Sequence, residues 1–338
     1  MMLDMHYRIF VLFCLLTLPA LSGQTTDSPT SAKDTLPAFI RYPEKLTTRT
    51  QLTYVGNSFL IRNFSDDRFP LPGIEEGAQL KLDPVYSTHL SFVAQFRILE
   101  LGFGFTPNFL NDKDAENARQ FNLQIKLYPG RWAYEFTFLD QRGFEAGVEG
   151  EDLYFPGVST SKFQNVLGYV FNPNFSLRAL QSPNEWQTRS AGSFIPKGLF
   201  SYTRYRFEHD GTENAFNSFD LGLAPGYFYT WVLGERFLLS AGNNSGMGIN
   251  ILNQDGETNA YLLWESVFQA SLGYNDQRFF AGINGTYSFM EHGAGNEIQV
   301  FDRVYFVRLF VGYRFNAPKK WNEKAERINE KYGWGPSN

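Results

Sequence analysis

His89-Leu90-Ser91 sets an imidazole and a hydroxyl two residues apart, which on a β-strand places both on one face. That is the arrangement of a base beside a nucleophile, but no motif supplies the orienting acid or the oxyanion hole that hydrolysis also needs. Asn111-Asp112-Lys113-Asp114-Ala115-Glu116 offers alternate carboxylates. It lacks the glycine and the distant bidentate glutamate of a calcium loop, so it reads as a solvated acidic loop, as does Glu149-Gly150-Glu151-Asp152. His209 and His292 fall in expected outer loops and read as solvated. No phosphate loop or spaced ligand set appears, and no catalytic, cofactor or metal residue is assigned.

A different cluster stands out in 172–194. Arg178, Asn184, Glu185, Trp186, Arg189, Ser190 and Ser193 gather charge and amide around one large aromatic. Ser182-Pro183-Asn184-Glu185 reads as a capping box opening a turn of helix that carries Trp186 and Arg189 and stops at Gly192. Residues 175–180 read as a short strand, and a second reading makes 174–181 a further barrel strand. The expectation is that 172–189 folds into the mouth of a barrel and pairs its charges with Glu135, Glu265 or Arg308, since buried charges need partners. Plug or scaffold, ligand site and partner-docking surface are the roles weighed for it.

The elements that would hold these residues are strands. In Gln120–Tyr128, Phe121, Leu123, Ile125 and Leu127 alternate with Gln120, Asn122, Gln124 and Lys126. After Pro129-Gly130, Trp132, Tyr134, Phe136 and Phe138 alternate with Glu135 and Thr137. A period of two with a wholly apolar face is a half-buried strand. The same pattern gives about twelve strands, near 47–62, 77–95, 98–106, 119–128, 131–142, 163–171, 190–206, 217–232, 235–250, 261–274, 277–290 and 300–315. Tight turns alternate with long polar connections at 63–76, 107–118, 143–162, 207–216, 251–260 and 291–299. This is the pattern of short periplasmic turns and long outer loops in an antiparallel transmembrane β-barrel. By alternation Lys126, Arg204, Arg206, Arg308, Arg314, Glu100, Glu135, Asp220 and Glu265 face inward. Mixed signs of that kind suit a narrow, salt-bridged lumen, and Pro225 is expected to mark a bulge.

Composition agrees. Aromatics make up 17% of the chain, an excess that suits strands facing lipid on one side and water on the other. The net charge of −5 argues against nucleic acid as a partner. Residues 1–22 read as a cleaved signal peptide, with Arg8 before an apolar run and Ala20 and Ser22 before the cut. The only cysteine, Cys14, leaves with it. Residues 23–46 read as a flexible lead-in, 47–315 as the barrel and 316–338 as a periplasmic tail. In that tail Trp321, Ala325, Ile328 and Tyr332 mark one face of a short C-terminal helix.

Tyr42-Pro43-Glu44-Lys45-Leu46, Leu127-Tyr128-Pro129-Gly130-Arg131-Trp132 and above all Asn184-Glu185-Trp186-Gln187 running into Ser190-Ala191-Gly192-Ser193-Phe194 resemble the "domain of unknown function 4421" family of exported Bacteroidota proteins. The resemblance runs from about Tyr42 to Trp334. It implies an outer-membrane-type barrel and brings no catalytic residues with it. The last strand ends in Tyr-x-Phe at Phe315, which resembles the C-terminal signal read by the barrel-insertion machinery. The expected setting is the outer membrane of a Gram-negative bacterium, with outer-membrane lipid around the barrel and a periplasmic partner at 318–338 as one reading of the tail. The function read from the sequence is a non-enzymatic structural or accessory component of the envelope. A small-solute channel plugged by 172–189 comes second. A lipid-modifying barrel enzyme using His89 and Ser91, loosely like outer-membrane lipid deacylases, comes third.

Overall fold

Alternation sorts each strand into two environments. In β4 (Thr88–Phe96), His89, Ser91 and Gln95 are buried while Phe92 is exposed. A polar residue inside and an aromatic outside is the reverse of a soluble protein, and it is what a bilayer around a barrel demands. The computed structural model describes residues 37–62, 80–85, 88–110, 118–148, 151–181, 185–209, 212–254, 256–292 and 299–333. The leader, the connections at 63–79, 111–117 and 293–298, and Ser182-Pro183-Asn184 lie outside the described residues, as do the side chains of His209 and His292.

In chain order the first strands are β1 (Phe39–Arg41), β2 (Lys45–Arg62), β3 (Leu80–Pro84), β4, β5 (Leu99–Phe105) and β6 (Arg119–Leu127). The β7 (Trp132–Val148) and β8 (Glu151–Tyr169) hairpin follows, then helix α1 (Leu177–Gln181) and β9 (Glu185–Gln187). The chain continues through β10 (Ala191–Phe194), β11 (Lys197–His209), β12 (Thr212–Ala224), β13 (Gly226–Leu233) and β14 (Phe237–Gln254). It ends with β15 (Glu257–Asn275), β16 (Phe279–His292), β17 (Gln299–Asn316) and helix α2 (Lys319–Tyr332).

Two pairs of these strands are single staves interrupted by proline. Ala191 pairs Thr230 and Lys197 pairs Ala224, so β10 and β11 share one ladder across Ile195-Pro196. Leu223 pairs Met247 and Gly226 pairs Asn244, so β12 and β13 run on across Pro225. Pro225 is therefore not the expected bulge. It removes one donor while its carbonyl still accepts from the Ser245 amide at 3.0 Å. With β17 paired to β2 and β14 to β15, the described strands close into an antiparallel ring of twelve staves, at the positions alternation indicates.

The staves are longer than expected on the side away from the termini. β7 and β8 pair out to Val148 and Glu151, β11 and β12 to His209 and Thr212, and β14 and β15 to Gln254 and Glu257. The connections expected as long loops at 143–162, 207–216 and 251–260 are thus mostly paired strand. Beyond the bilayer both strand faces can be wet or packed on neighbours, so the apolar alternation fades while backbone pairing continues. The stretch expected as one strand over 77–95 is two, β3 and β4. β3 pairs both β2 and β7, closing the ring above the short staves β4, β5 and β6. The lead-in is paired over Phe39–Arg41, and the first stave begins at Lys45 rather than 47.

Two aromatic girdles bound an aliphatic belt. On the termini side Trp132 packs on Tyr169 at 4.9 Å, Tyr169 on Phe171 at 5.1 Å and Phe237 on Tyr274 at 5.3 Å. Phe279, Tyr313 and Phe315 are exposed nearby. On the far side Phe138, Phe163, Tyr202 and Phe219 form a chain of ring contacts. Between the girdles, exposed Leu167, Leu221, Leu239, Leu272, Ile283 and Leu309 face outward. From Phe163 to Phe171 is about 26 Å along the strand, or ~20 Å after the usual barrel tilt, comparable with the apolar height of an outer-membrane barrel.

Above the far girdle the interior becomes apolar. Gly143, at φ +87°, interrupts the β7–β8 register between Arg142 and Phe144. A glycine in the left-handed region at such an irregularity switches which side chains point inward. Phe144 then joins Leu82, Phe155, Tyr205, Phe207 and Phe216 in a buried cluster.

Candidate functional site

The lumen between the girdles is polar and bridged. Lys162 on β8 and Asp302 on β17 stand six staves apart in either direction around the ring, yet Nζ and Oδ2 are 3.0 Å apart. Arg49 pairs Glu100 at 3.0 Å and Lys126 pairs Glu135 at 3.6 Å. Glu135 also accepts from Gln124 at 2.7 Å. Asp220, buried as alternation indicates, accepts from Ser201 and Asn250, both at 2.6 Å. Leu199, Leu263 and Met290 form a small buried cluster with Val166 packed against it, joining walls that are not neighbours in the ring. Among these side chains lies a chamber of about 160 Å³ lined by Arg49, Lys126, Lys162, Glu135, Glu265 and Arg308 among others.

Two residues expected to face inward do not. Arg204 and Arg206 point outward and approach Glu213 at 3.6 and 3.9 Å. Tyr205 and Phe207, between and beside them, are the buried ones. This end of β11 belongs to the part of the barrel above the far girdle, where the exterior is water and the interior is the apolar cluster, so the polarity rule of the lipid-facing zone inverts. Glu100, Lys126, Asp220, Glu265 and Arg314 are buried, as expected, and Glu135 and Arg308 line the chamber.

The insert between β8 and β10 fills the termini-side mouth, with local structure opposite to that expected. Residues 177–181 are helix and 185–187 are strand. The effective cap is Ser176, whose Oγ accepts from the Ala179 amide at 3.0 Å. Strand β9 exists because β1 pairs with it, with Ile40 opposite Trp186. A contact between segments that far apart in sequence overrides local preference. Residues 174–181 are thus no extra barrel strand. Phe175, Leu177 and Leu180 pack with Val170, Ile195 and Phe228 beneath the chamber, and Leu180 reaches its wall.

Glu185 is the hub of this mouth. Its Oε1 lies 3.3 Å from both Arg178 Nη1 and Arg41 Nε, and its Oε2 accepts from Ser176 Oγ at 2.5 Å. The Arg178 guanidinium also lies over the Tyr128 ring at 5.0 Å and donates to the carbonyl of Arg97. Arg97, at φ +51°, is the one non-glycine with positive φ among the described residues. Gln187, fully buried, accepts from the Ser176 amide at 2.9 Å and donates to the carbonyls of Asn174 and Ala38. Arg178 and Glu185, expected to reach Glu135, Glu265 or Arg308, instead pair with each other within the mouth. Just outside the staves, burial pushes the Tyr42 phenol above its ordinary value while the Arg314 guanidinium stacked on its ring acts the other way.

The candidate residues separate into three groups. Arg178 and Glu185 come together in the insert, and the adjoining Trp186 is buried. Buried Ser193, on stave β10, accepts from the Asn172 amide at the start of the insert at 3.0 Å, while exposed Ser190 accepts from the Val232 amide of β13 at 3.0 Å, so both tie the insert to the barrel. Arg189 is exposed and takes no part in the cluster. Sequence reading missed Arg41, Ser176 and Gln187. For Ser176 the signal was there, a serine three residues before Ala179, but Ser182 offers the same pattern with a stronger following proline and acid.

His89 and Ser91 point into the lumen on β4, both buried. His89 Nδ1 has no hydrogen-bond partner among the described residues. The pair opens on a space of about 20 Å³.

The decisive comparison is with family models. The model described as "Domain of unknown function (DUF4421)" matches residues 32–315. This chain belongs to that family. No curated protein matches it. Among solved structures, the outer-membrane protease OmpT from Escherichia coli is similar at 9% identity, covering 84% of this chain and 100% of its own, with a TM-score of 0.39. The translocator domain of the autotransporter NalP from Neisseria meningitidis shows 12% identity, covering 92% and 96%, at 0.39. An outer-membrane channel from Pseudomonas putida F1 shows 10% identity, covering 86% and 100%, at 0.37. The fold of this DUF4421 member rests on its own strand pairing.

Proposed function

We propose that this DUF4421 protein is a closed outer-membrane barrel, a non-enzymatic structural or accessory component of the envelope that carries no solute flux. The reading includes export through residues 1–22 and insertion guided by the Tyr-x-Phe signal at Phe315 on the last stave. The observation that carries it is the Lys162–Asp302 bridge between opposite walls. An open pore keeps its lumen charges solvated on their own walls. Here they meet across the centre, with an apolar cluster above and the α1 floor below.

A plugged small-solute channel is the second reading, favoured by the chamber of about 160 Å³ directly behind α1. Liposome swelling separates the two. Proteoliposomes of the intact protein in an iso-osmotic small sugar should swell no faster than empty vesicles, and those of a variant lacking 174–189 should do the same if the bridge seals the lumen by itself. Rapid swelling with the intact protein would overturn the reading. Swelling only in the deletion variant would favour the plugged channel.

A further inference from the structure

Helix α2 carries two parallel stripes. Trp321, Ala325, Ile328 and Tyr332 repeat at the spacing of one helical face, and Lys320, Lys324, Arg327 and Lys331 each sit one residue ahead of them. The acids Glu323, Glu326 and Glu330 form a third line on the side away from the apolar stripe. Trp321, Ile328 and Tyr332 are exposed, and no residue of the helix is buried.

The helix is fixed at the barrel rim rather than beneath its mouth. Trp321 packs edge-on against Phe96 at 5.9 Å, and Phe96 is the last outward-facing residue of β4, at the level of the termini-side girdle. Arg97 bonds Glu326 at 3.2 Å and the Asn322 carbonyl at 3.4 Å. The Ala317 amide donates to the Glu44 carbonyl at 3.0 Å, and Gly333 closes the helix in the left-handed conformation. The side bearing Asn322 and Glu326 thus meets the barrel, and the apolar stripe continues the lipid-facing surface that begins at Phe96.

We propose that α2 is a lipid-binding element, lying in the interface of the termini-side leaflet. Its apolar stripe sits at the headgroup–acyl boundary, and the adjoining basic stripe engages anionic lipid phosphates. An amphipathic helix with cations flanking its apolar face has this preference, and the continuity from Phe96 to Trp321 leaves lipid as the medium that covers it.

Nitroxide accessibility in nanodiscs tests this with the full chain. Ile328→Cys and Glu330→Cys, each with Cys14→Ser, carry the label, and phosphatidylglycerol-containing discs are compared with purely zwitterionic ones. The expected result is an oxygen-to-nickel-chelate accessibility ratio several-fold higher at 328 than at 330, and higher again with anionic lipid. Replacing Lys320, Lys324, Arg327 and Lys331 by Gln should abolish the lipid-charge dependence. Equal aqueous accessibility at 328 and 330 in both lipids would overturn the proposal and return this face to a periplasmic protein partner. If labelling perturbs folding, quenching by brominated lipid gives a second readout. Trp321→Phe should remove a quenched component, and its failure to do so would equally contradict the proposal.

Discussion

Lys162 and Asp302 sit on diametrically opposed staves and still form a 3.0 Å ion pair. The contact means that the lumen is narrow enough at this level for two side chains to span it. It also makes the bridge a structural tie, because neither charge has bulk water to fall back on. Breaking a buried pair from one side costs about 3–5 kcal/mol, whereas replacing both partners by apolar groups is often nearly neutral. Lys162→Met should therefore lower the unfolding free energy in lipid vesicles by that amount, and Lys162→Met/Asp302→Leu should recover most of it. Guanidinium titration followed by tryptophan fluorescence reads both.

The mouth should respond locally. Glu185→Ala leaves Arg178 buried without its carboxylate and also removes the Arg41 ion pair. The expected outcome is faster hydrogen exchange and proteolytic nicking confined to 170–190, with the barrel still migrating as a folded band in unheated gels. Loss of the folded band would show that the insert is required for barrel closure instead.

A smaller effect is expected at the cap of α1. Ser176→Ala removes both the bond to the Ala179 amide and the one to Glu185. Loss of an N-cap costs about 1 kcal/mol. Exchange protection of the amides in 177–181 should fall accordingly, while the staves keep theirs.

The far end depends on packing. Phe144 is fully buried in the apolar cluster above the far girdle, and truncating a buried phenylalanine costs about 3–5 kcal/mol. Phe144→Ala should lower the unfolding midpoint clearly, whereas Phe163→Ala, on the lipid-facing girdle, should lower it much less.

The barrel was legible because lipid imposes a strict rule. Where staves cross the bilayer, as in β6 and β17, one face must be apolar and alternation marks each residue's side. Where that constraint ends the pattern misleads, and Arg204 and Arg206 show how. With water outside and an aromatic cluster inside, placing polar residues in the lumen assigns them to the wrong face, although counting by two from Phe200 and Tyr202 puts them outside. Pro225 looked like a defect because a missing donor is visible in sequence, while the unbroken register across it is not. The insert is recognisable as an interruption; of the compact set expected from Arg178, Glu185 and Arg189 beside Trp186, the fold pairs Arg178 with Glu185 and leaves Arg189 exposed. Its helix and strand came out exchanged because β9 is made by β1, more than a hundred residues earlier. The Lys162–Asp302 tie was hidden for the same reason: alternation gives a residue's face, not who stands opposite.

Single-channel recording of the purified, intact protein in planar bilayers tests the closed lumen most directly. The bridge, the apolar cluster and the α1 floor predict a flat baseline with no stepwise conductance at either polarity. Discrete, reproducible conductance steps from the unmodified protein would contradict that account.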